Sequence, residues 1–346
     1  MRIHRLAASF VVVLVLAAPI CTALPAGQYK VVQKLRVGGD GGWDYLTVDS
    51  AARRLYVTRG SRVMVFDADT LAPAGEIPNT AGVHGVALAP ELGRGYASNG
   101  KASTVTIFDI KTLKSVEDVK VTGENPDAIL YDPHSRQVFA FNGRSGNVTV
   151  LDAATGKVEA TIALGGKPEF GTTDLAGRVY VNIEDKSEVV VLDAGKAEVA
   201  ARWPLAPCEE PSGMAIDRAH KRLFVGCGNR MMAVVDAATG KIAATVPTGD
   251  GVDANAFDAA TGAAFSSNGE GTLTVVRQDG DGHFVAVQNV ATMRGARTMA
   301  LDEKTHRVFL ATAEFGPPPS PTPDQPHPRP SIVPGSFTLL VVAPEP

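Results

Sequence analysis

Asp49–Val57, DSAARRLYV, reads as the end of an apolar strand, a short turn opened by Asp49, and a second strand opened by the aromatic Tyr56. The same pattern returns as APELGRGYA from Ala89, DPHSRQVFA from Asp132, DRAHKRLFV from Asp217, DAATGAAFS from Asp258 and DEKTHRVFL from Asp302. A further copy, DLAGRVYV from Asp174, is one residue shorter in the turn. A second landmark follows each of the first five aromatics: VMVFDADTL around Asp67, VTIFDIKTL around Asp109, VTVLDAATG around Asp152, VVVLDAGKA around Asp193 and MAVVDAATG around Asp236. The two landmarks define a repeat of roughly 42 residues, the length of a propeller blade.

Each unit reads as strand A, turn, strand B, loop, strand C, Asp-rich turn and strand D, a four-stranded antiparallel blade. One blade cannot bury both faces, so copies must stack radially. The sequence therefore predicts an all-β, seven-bladed β-propeller. The last copy ends with LLVVAPEP and has no strand D of its own, whereas YKVVQKLRV, residues 29–37, precedes the first strand A. That N-terminal strand is expected to complete the last blade and remove the free edges of an open stack.

Composition agrees. The 346 residues are 45% hydrophobic and 20% charged, enough apolar material for a core, and 35 Gly with 23 Pro spread along the chain suit many short strands. Arg2, His4 and Arg5 precede an apolar stretch from Leu6 to Ile20, and Cys21-Thr22-Ala23 offers small residues, so residues 1–23 read as a cleaved signal peptide of a periplasmic or secreted protein. Residues 24–346 are then a single propeller domain without a membrane span. Removing Arg2 and Arg5 leaves 31 basic against 37 acidic residues, net −6, which argues against nucleic acid as a partner. Cys208 and Cys227 remain, placed at one end of a β-hairpin, either as a disulfide or as two packed thiols. Monomer is the expected state, since a closed ring needs no partner.

The blade wording, RRLYVT from Arg53 and GRVYVN from Gly177, resembles the YVTN/YncE-like family of WD40-like β-propellers over residues 29–346. The resemblance implies the propeller fold and export, and no single reaction, because the motif is a packing motif. It also implies single-stranded DNA as a partner of some relatives, against which the acidic balance here argues.

Ligands of propellers gather at a mouth of the central channel. Five residues before the end of each strand A stand Asp44, His84, Asp127, Glu169, Ser212, Asp253 and Arg297, a polar ring above apolar blade positions. Three readings stay open. Arg297 pairs with a carboxylate in a solvated entrance, the ring binds a substrate, or Asp44, His84, Asp127, Glu169 and Asp253 hold a metal. Crowded carboxylates favour Ca²⁺ and His84 a transition metal. Trp43, Glu209, Arg294 and Arg297 join Asp44, His84, Asp127, Glu169 and Asp253 as candidate ligand-binding residues, with His84 and Glu169 the candidates for proton transfer. No phosphate cradle, zinc-binding HExxH helix or nucleophile elbow is present. A Pro-rich insertion, 313–335 in blade 7, carries nine prolines and is expected over the same face as the ring. The expected function is binding of a small ligand, cation or protein partner at the channel face. The alternative is a metal-assisted, lactonase-like hydrolase or lyase.

Overall fold

A computed structural model describes residues 27–320 and 330–345. The leader expected at 1–23, and the middle of the Pro-rich insertion, lie outside the described residues. Seven four-stranded antiparallel sheets follow one another around a ring, each ordered A-B-C-D from the channel outward. Blade 1 consists of Leu46–Asp49, Arg54–Arg59, Arg62–Asp67 and Pro73–Pro78. Blade 7 consists of Thr298–Asp302, Arg307–Thr312, Thr338–Pro344 and, as its strand D, the N-terminal Tyr29–Arg36. The N-terminal strand pairs with the C-terminal one from Tyr29 opposite Pro344 to Arg36 opposite Thr338, so the ring closes as expected.

Burial explains the strand composition. Strand B is covered on both faces by neighbouring blades, and Gln137–Asn142 and Ala263–Asn268 are buried almost throughout. Strand D lies at the rim, where Glu198–Pro204 alternates between exposed and half-buried residues. The repeating aromatics Tyr56, Tyr96, Phe139, Tyr180, Phe224, Phe265 and Phe309 are all essentially buried. Cores form between blades: Leu55, Val57 and Phe66 of blade 1 pack with Phe309, Leu339 and Val341 of blade 7.

The Asp that ends strand C organises the outer turn. Asp67 Oδ1 accepts from the backbone N–H of Asp69 and Thr70 and from the Thr70 hydroxyl, at 3.1, 2.8 and 2.8 Å. Asp109, Asp152 and Asp236 repeat this arrangement with Thr112, Thr155 and Thr239. The residue after the threonine has left-handed backbone, with φ of 75° at Gly156 and Gly240 and 59° and 61° at Leu71 and Leu113. Leucine tolerates it because both side chains are buried in the core of blades 1 and 2 or its junctions. Cys208 and Cys227 form a disulfide, Cα–Cα 5.4 Å, fastening the loop before strand A of blade 5 to the end of its strand B.

Across the closing junction, Arg53 of blade 1 donates to Asp302 of blade 7 at 2.9 Å and to Asp69 at 2.7 and 3.0 Å. The Asp302 side chain is fully buried. Burial alone would raise its pKa, but hydrogen bonds from Arg53, Ser50 and Thr305 outweigh it and hold the carboxyl down at about 2. That lies below the unfolded aspartate value of about 3.9, so the stabilisation is complete above about pH 4 and is lost as pH falls through about 2. Asp302→Asn should therefore lower unfolding stability by about 3 kcal/mol at neutral pH and flatten the acid limb between those values, read by urea denaturation across pH.

Candidate functional site

The polar column occupies the point where strand A enters the blade. In blades 2 to 6 the A–B register shifts there, between Val83 and Val86, Pro126 and Ile129, Pro168 and Gly171, Pro211 and Met214, and Val252 and Ala254. Such a bulge breaks the ladder locally and re-aims the side chain at the strand mouth. Strand B of the preceding blade takes up carbonyls at this point: Ser98 Oγ donates to Asp127 O at 2.5 Å, Asn182 Nδ2 to Ser212 O at 2.7 Å, and Ser267 Oγ to Arg297 O. Asp127, Ser212 and Arg297 are thus held by the preceding blade as well as their own.

The ring separates into three groups. His84 Nδ1 lies 2.6 Å from Asp44 Oδ2 and 3.6 Å from Asp127 Oδ1, which joins blades 1, 2 and 3. Asp253 accepts from the Ser212 hydroxyl at 3.0 Å and faces Arg297 Nε at 3.3 Å, which joins blades 5, 6 and 7. Glu169, in blade 4, meets Lys167 at 2.5 Å, and Lys167 also reaches Glu184. Of the five residues expected to share a metal, the structure brings together Asp44, His84 and Asp127, whose ligand atoms lie within 4.8 Å of one another. Glu169 and Asp253 face ammonium and guanidinium partners instead.

Charge crowding shows in the protonation equilibria. Burial would lower the His84 pKa, but the Asp44 hydrogen bond and the Asp127 charge overcome it and lift the imidazole to about 9. Asp127 is pushed up by burial, against the pull of His84 and with the push of Asp44. Glu169 is pushed up by burial and by Asp127, more than Lys167 pulls it down.

Tyr45, next to Asp44, was not among the residues singled out from sequence. Its buried ring leaves blade 1 and packs in the core of blades 3 and 4 with Ala128, Phe139 and Phe141, edge-on to Phe170 at 5.4 Å. Burial raises the phenol pKa well above its ordinary value, and the charges of Asp127, Asp44, Asp253 and Glu169 add to it, so the hydroxyl stands among carboxylates of four blades. The sequence did hold a signal. The positions following the ring residues are Tyr45, Gly85, Ala128, Phe170, Gly213, Ala254 and Thr298, two aromatics among small residues that leave room for them.

Above the ring opens a cavity of about 680 Å³. It lies over the arc of Ser212, Asp253 and Arg297, and Trp43, Arg294, Phe315 and Ile332 line it, whereas His84, Asp44, Asp127 and Glu169 do not. The described ends of the Pro-rich insertion do reach this face. Glu210 lines the cavity in place of the expected Glu209, because left-handed backbone at Glu210, φ 47°, turns that residue inward over Gly228. Trp43 packs on Phe337 and Phe315, centroids 5.3 and 6.2 Å away. Its loop is set by Arg59, which is almost wholly buried, lies 3.9 Å over the Phe337 ring and donates to the carbonyls of Gly38, Gly39, Gly41 and Gly42. Positive φ at Gly38, Gly39 and Gly41 lets those carbonyls converge on one guanidinium. Asn99, Asn142 and Asn268 at the ends of strand B serve their own blades, bonding Thr106, Thr149 and Thr274 of strand C.

No family model and no curated protein matches the chain. Among solved structures, hydrazine synthase of Kuenenia stuttgartiensis is similar, with a TM-score of 0.70 over 80% of this chain and 94% of that one at 15% identity. At that identity the likeness is one of fold alone.

The folded His84 value lies above the ordinary 6.5, so its contribution to stability is complete below about pH 6.5 and is lost as pH rises through about 9. Side-chain NMR should show His84 titrating near pH 9, and Asp44→Asn should return the midpoint toward the ordinary imidazole range.

Proposed function

We propose that this chain is an exported binding propeller that holds a small organic molecule with a cationic group and an apolar body at its channel mouth. The observation that carries this reading is the make-up of the cavity. Trp43, Phe315, Pro330 and Ile332 give it an apolar wall, and Glu184, Glu210, Asp250 and Asp253 an acidic one. Among the described residues its lining cations are Arg294 and Arg297; Arg297 already faces Asp253, and Lys167 reaches Glu184. A bound ammonium would gain from Glu210 and Asp250 and from the Trp43 π face, and its apolar part from Phe315 and Ile332. Export is supported by the leader-like residues 1–23 and by the Cys208–Cys227 disulfide, which suits an oxidising compartment. No helix among the described residues is long and apolar enough to cross a membrane. Kinship with YVTN/YncE-like propellers is part of the same proposal and rests on the repeat wording.

Metal-assisted hydrolysis is the second reading, favoured by one observation: Asp44, His84 and Asp127 converge close to Glu169, a carboxyl whose raised pKa suits proton transfer. Turnover of esters or lactones that His84→Ala and Glu169→Gln both abolish would establish it.

A panel of amphipathic amines, matched carboxylates and neutral analogues, followed by thermal shift and calorimetry, tests the first reading. Amines should stabilise the protein, by about 2.7 kcal/mol at one hundred times Kd. Trp43→Ala and Asp253→Asn should each weaken binding at least tenfold. Preference for the carboxylates, lost in Arg294→Ala, would overturn it.

A further inference from the structure

We propose that His84, Asp44 and Asp127 form a binding site for a first-row divalent transition metal, separate from the organic-ligand cavity. The argument starts with the donor set. One imidazole nitrogen and two carboxylate oxygens from three successive blades lie within 4.8 Å of one another, all partly buried. Zinc-type coordination puts each ligand about 2.0–2.2 Å from the ion, hence neighbouring ligand atoms about 3.3 Å apart. To reach that spacing the 2.6 Å contact must open by about 0.7 Å and the 3.6 Å contact close by about 0.3 Å, within reach of side-chain torsional adjustment. An imidazole donor disfavours Ca²⁺ and suits Zn²⁺, Co²⁺ or Mn²⁺.

The surroundings of the triplet point the same way. The Asn125 side chain stands beside the imidazole, outside the ligand set. His84 Nε2 and Asn125 Oδ1 close over Gly100, 2.5 and 2.6 Å from where a Cβ would stand, so only glycine leaves that approach open. Nε2 lies on the Asn125 side and Nδ1 is the nitrogen presented to the carboxylates, which leaves a polar outer-shell neighbour behind the ring as metal-ligating histidines ordinarily have. Tyr45 stands beside the triplet: the residue is more than nine-tenths buried, and Asp127 and Asp44 are the carboxylates that act most on its hydroxyl. Three protein ligands leave coordination positions open, as sites that bind water or substrate require. Metal entry displaces the proton between Nδ1 and Asp44 to solvent, so charge balances with no further reactant.

Calorimetry and cobalt absorption on the chelator-stripped full chain test the site. Zn²⁺ and Co²⁺ should bind one equivalent each, and Co²⁺ should develop visible ligand-field bands that Ca²⁺ in excess does not remove. His84→Ala should lower affinity at least about 100-fold and abolish the bands, while Asn125→Ala should lower it about tenfold or more with the protein still folded by circular dichroism. Titrating the same amines into the metal-free protein keeps failure of this site distinct from failure of the cavity reading. Absence of one-equivalent binding, binding unaltered in His84→Ala, or displacement by Ca²⁺ would each overturn the proposal.

Discussion

The structure depends on one pairing: the first described strand, Tyr29–Arg36, hydrogen-bonded to the last, Thr338–Pro344. Without it blade 7 has three strands and the core that Phe309, Leu339 and Val341 share with blade 1 loses its outer cover. The Arg53–Asp302 bridge crosses the adjoining blade boundary on the opposite face from the ring. Two distant ends of the chain are therefore fastened by backbone and by charge within one sector. Every side chain in the channel owes its position to that closure, because ring geometry turns a recurring position in sequence into a circle in space.

The circle gathers four carboxylates into a partly buried space, and the molecule distributes the resulting repulsion among local partners. His84 lies between Asp44 and Asp127, Arg297 answers Asp253, and Lys167 reaches in to Glu169. The compensation is incomplete. Burial still makes Asp127, Glu169 and Asp253 resist ionisation, and the Asp253 arc, with Ser212 and Arg297, forms the floor of the open cavity. Groupings of different character follow from one ring.

The blade count, the closure and the ring column could be read from sequence because each recurs in register, and recurrence at fixed spacing reflects packing demands that every blade shares. What does not recur was harder to read. The grouping of Asp44 with His84 and Asp127, apart from Asp253, depends on which side chains of neighbouring blades meet across the channel mouth. Arg59 ends strand B of blade 1 and is the post around which four glycine carbonyls turn. Glu210 replaced Glu209 at the cavity through a single left-handed residue. The disulfide was open between two readings, since hairpin placement brings two thiols near without bonding them.

Tyr45 and Phe170 meet across the axis from blades 1 and 4, with glycine and alanine making room between them. The contact joins two blades that are not neighbours in the ring. A change at either aromatic is therefore felt by both sectors, a coupling that neighbour-to-neighbour packing alone would not supply.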